Sequence, residues 1–268
     1  YGIHEDSLAR GLESAPDMLG CDAGSTDDGP QKLGGGVADV SRDTTARDLR
    51  LLIRAGTEKG IPIVIGSAGG AGADTHLEWT WDIVREVAEK EEIGLRVALI
   101  HAEVQIDALK ESVAAGIVAP LGPVPPLDDE TLDRTIRVVG QMGAEPIISA
   151  LDQGANLVLA GRACDAAIFA APAIRHGSDP GLAWHMGELL ECGAMAAQPG
   201  SASDCLMGSI ENGHFIIEPV SPERSCTPLT IAAHSLYERS HPSRSVGPGH
   251  VLDVSNCRFE AVDERRVM

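Results

Sequence analysis

Short apolar runs alternate with longer segments of helical periodicity over the first 200 residues of the chain. Four runs predict buried strands at residues 18–21, 62–65, 95–100 and 156–159, because a strand covered on both faces has continuous hydrophobic sequence. The segments between them space apolar residues three and four positions apart, as amphipathic helices do. This alternation predicts an α/β fold: a doubly wound, mainly parallel sheet with helices on both faces.

The pattern changes near Pro199, where the regular alternation of strands and helices ends. We therefore interpret residues 1–199 as the α/β core and residues 200–268 as the start of a smaller, partial α+β domain. The predicted elements of this second part are a helix at 229–237 and strands at 213–218, 250–254 and 258–262. Because the chain opens without Met and ends in a strand-like pattern, we expect both ends to be cut from a longer protein.

Composition and charge narrow the class of protein. No apolar run reaches the roughly 18 residues that a membrane span needs, and no signal-peptide pattern opens the chain, which predicts a soluble cytoplasmic protein with no membrane contact. A net charge of −19 disfavours nucleic acid as a partner, since nucleic-acid binding needs a basic surface. On such an acidic protein an anionic ligand requires a local positive pocket. The six cysteines form no CxxC pair, so we expect reduced thiols and no zinc knuckle.

Polar or glycine-rich residues follow all four predicted strands. Ligands of open parallel sheets bind at the carboxyl ends of the strands, so we expect these four segments to converge on one cleft. The turn after the first strand contains Asp22, Ser25, Thr26 and Asp27, which could hold a divalent cation or position a substrate hydroxyl. The same residue types also form ordinary turns, and that alternative stays open.

A glycine-rich loop follows the second strand and precedes a predicted helix. Its candidate residues, Ser67, Gly69, Gly70 and Gly72, could bring backbone amides close to a carboxylate or phosphate. The loop matches neither the GxGxxG fingerprint nor a P-loop, so a plain tight connection is the alternative. We expect Asp74 or Thr75 to cap the helix, with Glu78 completing a capping box.

The remaining candidates carry charge. His101 and Glu103 follow the third strand as an acid/base pair, although a histidine at a strand end is often purely structural. Arg162, after the fourth strand, is the best anion anchor, because its planar fork matches a carboxylate or phosphate. Asp165 and Glu145 are candidate substrate-binding residues, but helix capping and the helix dipole could also explain them.

Four segments together resemble the acyclic terpene utilisation (AtuA) family: GCDAGSTD at residues 20–27, GAEPI at 143–147, GRACD at 161–165 and LLECGA at 189–194. The resemblance implies a bacterial or archaeal cytoplasmic catabolic protein from operons that degrade acyclic terpenes through acyl-CoA intermediates. Family members are usually longer than 268 residues. The chain departs from the family pattern at Asp28 and residues 34–36, where a more aromatic loop is expected.

The leading hypothesis is a catabolic enzyme for a carboxylate or acyl-CoA metabolite, a lyase or hydratase that uses acid/base chemistry. In this hypothesis Arg162 and the glycine-rich loop hold the anion. Proton transfer comes from His101, Glu103, Asp22 and Asp27, and the two aspartates are also the candidate ligands of a divalent cation, the one cofactor considered. The alternatives are a non-catalytic subunit or binding module that needs a partner protein, and a hydrolase, which the absence of a GxSxG elbow weakens. We expect a homo-oligomer, with a partner subunit as the alternative.

Overall fold

A four-stranded parallel sheet forms the centre of the protein in a computed structural model that describes residues 2–24, 29–237 and 239–268. Its strands are β1 (Leu19–Asp22), β2 (Ile63–Gly66), β3 (Val97–Ile100) and β4 (Leu157–Ala160). They lie in the order β1-β2-β4-β3, and each neighbouring pair is parallel. The predicted strands and their parallel pairing in one sheet are confirmed.

The described residues also form ten α-helices. They are α1 (Glu5–Glu13), α2 (Gly29–Gly35), α3 (Arg42–Lys59), α4 (Asp74–Lys90), α5 (Ile106–Ala114), α6 (Asp129–Arg134), α7 (Glu145–Asp152), α8 (Ala167–Arg175), α9 (Pro180–Leu190) and α10 (Pro228–His234). Successive strand side chains point to opposite faces, which divides the core into two layers. Ile63 and Leu157 pack with α3 and α4, whereas Val64 and Val158 pack with α7 and α8. Helices therefore cover both faces, as the apolar strand sequences predict.

The direction in which successive strands are added to the sheet reverses once, and the candidate site lies where it reverses. From β1 to β2 to β3 the chain advances across the sheet, and from β3 it returns to insert β4 beside β2. Crossovers between parallel strands are right-handed. When the chain reverses its direction across the sheet, the helix of the next crossover therefore lies on the opposite face. Helices α3 and α4 accordingly share one face and α7 the other. The carboxyl ends of β2 and β4 flank the point where the connections diverge, which is where ligands of such sheets bind.

Two glycines in the sheet let α8 approach it closely. A Cβ at Gly20 would lie 2.5 Å from Phe169, and a Cβ at Gly66 would lie 2.4 Å from Ile168. Any larger residue at either glycine would push α8 outward. The N-terminus of α8 is thereby held at the carboxyl ends of β1 and β2.

The C-terminal part consists of two antiparallel hairpins around α9 and α10. One hairpin pairs β5 (Leu206–Glu211) with β6 (His214–Pro219), and the other pairs β7 (Arg244–Gly247) with β8 (His250–Asp253). Helix α9 contributes Met186 and Leu189 to the apolar cluster that contains Phe215 and Ile217 of β6.

Some predicted boundaries in this part are wrong. Residues 258–262 form no strand, and only Ala261 bridges Val267. The helix predicted at 229–237 is α10, which ends three residues earlier, at His234. A 3-10 helix lies after α9 at Gly193–Ala196.

Long apolar side chains remain exposed on the proline-rich connection between α5 and α7. They are Ile117, Leu121, Val124 and Ile136, and on the adjacent edge strand Leu99 is 37% exposed. Within the described residues, no helix is both long and apolar enough to cross a membrane.

The contact between Gly72 and Arg162 gives a prediction about stability. Gly72 has φ +69° and a Cβ there would lie 2.3 Å from the Arg162 amide nitrogen, whereas Gly116 has the same φ of +69° and no atom within 4 Å. We expect Gly116→Ala to cost about 1–2 kcal/mol, the strain of a left-handed backbone. Gly72→Ala should cost about 1–3 kcal/mol more, because the backbones must also separate. Urea unfolding of both variants measures the difference, and equal losses would contradict the close approach.

Candidate functional site

The segments that follow the four strands meet at one edge of the sheet. The Ala163 amide donates to Ser67 Oγ (3.3 Å), which ties the end of β4 to the end of β2. The Ala23 amide donates to the Gly66 carbonyl (3.0 Å), and this bond ties in the end of β1. A Cβ at Gly161 would lie 2.8 Å from the Ala102 side chain, so the segment after β3 reaches the same point.

Asp22, Arg162 and Asp165 form what we call the arginine–aspartate cluster. Asp22 ends β1 on the face that α8 covers, and Arg162 and Asp165 lie between β4 and α8. Arg162 Nη2 donates to Asp165 Oδ1 at 2.8 Å, and the Arg162 side chain is only 7% exposed. Arg162 Nη1 is fully buried and has no hydrogen-bond partner among the described residues. A buried guanidinium N–H without a partner is costly, which indicates a place where an anion can bind.

The cluster perturbs the protonation of Asp22. Burial raises the pKa of the Asp22 carboxyl well above its ordinary value, and the nearby Asp165 carboxylate raises it further. The Gly24 amide, which donates to Asp22 Oδ1 at 3.2 Å, and the Arg162 guanidinium oppose this increase only in part. Asp22 is therefore a carboxyl group that can hold or release a proton closer to neutral pH than a surface aspartate can.

The glycine-rich loop serves close packing in this structure. Residues 66–73 are all buried, and the amides of Ser67, Ala68 and Gly70 donate to backbone carbonyls. Gly72 accepts a hydrogen bond from the Arg162 amide (3.0 Å), and a Cβ at Gly69 would lie 2.9 Å from His76. Two of the four amides predicted to hold an anion, those of Ser67 and Gly70, are thus occupied. The proposed cradle of Ser67, Gly69, Gly70 and Gly72 stays a prediction.

His101 and Glu103 lie together at the N-terminus of α4. His101 Nδ1 is 2.9 Å from Asp74 Oδ1, and Glu103 Oε2 accepts from the Asp74 amide at 3.1 Å. The predicted capping box is wrong, because the N-cap residue is Ala73 and has no capping side chain. Glu103, from the segment after β3, supplies the carboxylate that this helix end favours. His101 itself is largely exposed, with 55% of its side-chain surface accessible.

Glu145 faces away from the arginine–aspartate cluster. It is exposed at the start of α7, and its carboxylate lies 2.8 Å from where a Cβ of Gly249 would be, beside the β7–β8 hairpin. It lines a separate cavity of about 300 Å³, in which the Trp184 and His250 rings stack with centroids 3.6 Å apart. The structure therefore does not bring Glu145 together with Arg162.

Three predicted residues, Ser25, Thr26 and Asp27, lie outside the described residues, as does Asp28. The cation site predicted from Asp22 and Asp27 is therefore not tested. Among residues 2–24, 29–237 and 239–268, no three His, Cys, Asp or Glu side chains are grouped so that they could hold a metal ion.

Two further polar residues near this edge were not among the predicted ones. The Asp39 carboxylate lies 2.1 Å from where a Cβ of Gly70 would be, so it approaches the loop as closely as a glycine permits. Arg137 Nη1 donates to the Leu33 and Gly34 carbonyls at the end of α2 and holds that helix beside α4. The only feature of the sequence that marks Asp39 is its position three residues after a run of three glycines. Arg137 has no signal, because its partners are more than 100 residues away in sequence.

Comparison with known proteins gives one match. Residues 41–268 match the model of a family described as "Acyclic terpene utilisation family protein AtuA". The match begins after the GCDAGSTD segment and continues through both C-terminal hairpins, beyond the segments on which the resemblance was based. No curated protein and no solved structure matches the chain.

The raised pKa of Asp22 predicts how stability depends on pH. Between its ordinary value of 3.8 and the raised value, the folded protein binds a proton that the unfolded chain releases, so stability falls as pH rises through this window. Asp22→Asn removes this loss and keeps an oxygen for the Gly24 amide. We expect this variant to melt roughly 2–4 °C higher than wild type at neutral pH, as about 1 kcal/mol produces in a chain of this size.

The difference between the two proteins should shrink towards pH 4. The matched control is Asp17→Asn, an exposed aspartate just before the same strand. Thermal melts across this pH range measure the effect. An Asp22→Asn protein that is less stable than wild type at neutral pH would refute the assignment.

Proposed function

The chain belongs to the acyclic terpene utilisation (AtuA) family, and on this premise we propose that it is a catabolic enzyme acting on a carboxylate or acyl-CoA metabolite. The proposed reaction is a lyase or hydratase reaction driven by acid/base catalysis at the arginine–aspartate cluster. One observation carries the proposal: a buried arginine, one N–H group of which has no partner within residues 2–24, 29–237 and 239–268, lies beside a carboxyl group whose pKa is raised.

Arg162 is the proposed anchor for the anionic group. One of its terminal nitrogens already pairs with Asp165, which fixes the plane of the guanidinium. The other is buried without a partner among the described residues. A carboxylate or phosphate oxygen would accept a hydrogen bond from this nitrogen. That bond would remove the free-energy cost of a buried, unsatisfied donor, which is about 1–3 kcal/mol. On a protein with a net charge of −19 this cation also supplies the local attraction that an anion needs.

Asp22 is the proposed proton-transfer group. In the direction of water loss, a base takes the proton from the carbon beside the carboxylate or thioester carbonyl. An acid protonates the departing hydroxyl, which leaves as water while the carbon–carbon double bond forms. A carboxyl group with a raised pKa suits either task, because it is a stronger base when ionised and is partly protonated nearer neutral pH.

His101 is the proposed second proton-transfer group. It is exposed and paired with Asp74, an arrangement in which a carboxylate orients an imidazole. We assign Glu103 a positioning role, since its carboxylate accepts the Asp74 amide and so fixes the residue that holds His101.

A subunit that works only with a partner is the second candidate. The specific observation in its favour is the set of exposed apolar side chains on the connection between α5 and α7, together with the partly exposed Leu99 on the edge strand β3. Apolar surface of this kind is typical of protein–protein contacts. A protein that binds ligand at Arg162 without turning it over would favour this candidate.

Arg162→Lys is the sharpest test of the anchor. The lysine keeps a positive charge beside Asp165, but it loses the fork that presents a second donor. We expect ligand affinity to fall about 10- to 100-fold, which corresponds to the loss of one charged hydrogen bond. Thermal shift and calorimetry with short hydroxy acids, dicarboxylates and CoA esters measure this change.

The matched control is Arg175→Lys, which alters an exposed arginine that pairs with Asp152 on the surface of α8. This control should bind every wild-type ligand unchanged. If Arg162→Lys binds those ligands as tightly as the control does, Arg162 is a structural cation and the proposed site is wrong.

A further inference from the structure

We propose that Cys257, His185 and Ser235 form a second site, in which the Cys257 thiol accepts the acyl group of a thioester. Cys257 Sγ lies 3.6 Å from His185 Nδ1, within the range of a sulfur hydrogen bond. The other ring nitrogen, His185 Nε2, lies 3.0 Å from Ser235 Oγ. A nucleophile, a base and a group that orients the base are thus aligned, although they come from positions 72 and 50 residues apart.

The imidazole is held firmly in this position. His185 is 3% exposed on α9, and the rings of Phe215 and Phe259 meet it edge-on at centroid distances of 5.1 and 6.0 Å. In the tautomer with its proton on Nε2, the ring donates to Ser235 and leaves Nδ1 to accept the thiol proton. Ser235 is therefore a positioning residue, whereas Cys257 and His185 are the reacting groups.

Burial and the nearby Arg239 cation lower the pKa of His185 to about 4. The ring is consequently neutral at physiological pH and a weaker base than an ordinary imidazole, so it takes the thiol proton only as the sulfur bonds to the carbonyl carbon. Burial raises the pKa of the Cys257 thiol, with Asp253 adding to the effect and Arg239 opposing it. The resting pair is a neutral thiol beside a neutral imidazole, so proton transfer accompanies the attack instead of preceding it.

A cavity beside the thiol defines the class of substrate. It measures about 220 Å³, and its lining includes the apolar side chains of Leu182, Phe215, Phe259 and Met268. Cys257 is the one exposed cysteine of the six, and it lines this cavity together with His185. An apolar pocket of this size suits a short acyl group. Transfer of an acyl group from one sulfur to another needs no further reactant.

The step transfers an acyl group from one sulfur to another. Cys257 Sγ forms a bond to the thioester carbonyl carbon while its proton passes to His185 Nδ1. The bond from that carbon to the original sulfur then breaks, and the departing thiolate takes the proton from His185. The products are an acyl-Cys257 thioester and a free thiol.

The test uses S-butyryl-N-acetylcysteamine as the acyl donor and intact-protein mass spectrometry as the readout. We expect one butyryl group per chain, mapped by peptide analysis to Cys257. Cys257→Ser should take up none. His185→Gln should slow uptake about 100-fold, the usual contribution of a general base. Ser235→Ala should slow uptake and change its pH profile, whereas a merely structural serine would lower the unfolding midpoint in urea and leave the pH profile of uptake unchanged.

Cys192→Ser is the matched control, because it removes a partly buried cysteine just beyond the end of α9 and keeps the proposed site. It should be acylated at the wild-type rate. The proposal is overturned if Cys257 takes up no butyryl group, or if uptake is spread over several cysteines. It is also overturned if Ser235→Ala reacts with the wild-type rate and pH profile, a result that stands even where His185→Gln fails to fold.

Discussion

The hydrogen bond from the Arg162 amide to the Gly72 carbonyl, 3.0 Å long, joins two loops that the strand order brings side by side. These loops follow β2 and β4, whose connections leave the sheet towards opposite faces. Only a residue without a side chain fits at position 72, because a Cβ would lie 2.3 Å from the Arg162 nitrogen. The Met142 amide donates to the Arg162 carbonyl from the other side (3.1 Å). The backbone of Arg162 is thus fixed at both groups, and its burial and the hydrogen bond to Asp165 restrict where the guanidinium lies.

That constraint explains how a charged side chain comes to be buried at the centre of the site. Burying a cation costs several kcal/mol unless partners compensate for it. Asp165 accepts from Arg162 Nη2, whereas Nη1 has no partner among the described residues. Burial and the Asp165 carboxylate also raise the pKa of Asp22. The charges of Asp22, Arg162 and Asp165 therefore do not compensate one another fully. Such incomplete compensation is unfavourable for stability alone. It is expected where a protein keeps charge available for a ligand.

The sheet could be predicted because its signal is local, whereas much of the C-terminal part and most side-chain partners could not. Continuous apolar runs such as residues 62–65 identify buried strands without knowledge of their neighbours. Strand β5 was missed although Asn212 and Gly213, both with positive φ, form the kind of tight turn that joins two strands. At the site, sequence placed Arg162 and Asp22 at strand ends. It could not show that Glu103 caps a helix from another segment, or that Glu145 turns towards the β7–β8 hairpin.

Helix α9 contacts both of the proposed sites. Gly187 of this helix packs against the loop that carries Asp165, since a Cβ there would lie 2.5 Å from the Ala166 carbonyl oxygen. Two residues earlier the same helix supplies His185 to the Cys257 thiol. Nearly every side of α9 is buried, so a shift of the helix cannot be absorbed at one end alone. The loop that carries Asp165 and the imidazole beside Cys257 are therefore both positioned by residues 185–187 of one buried helix.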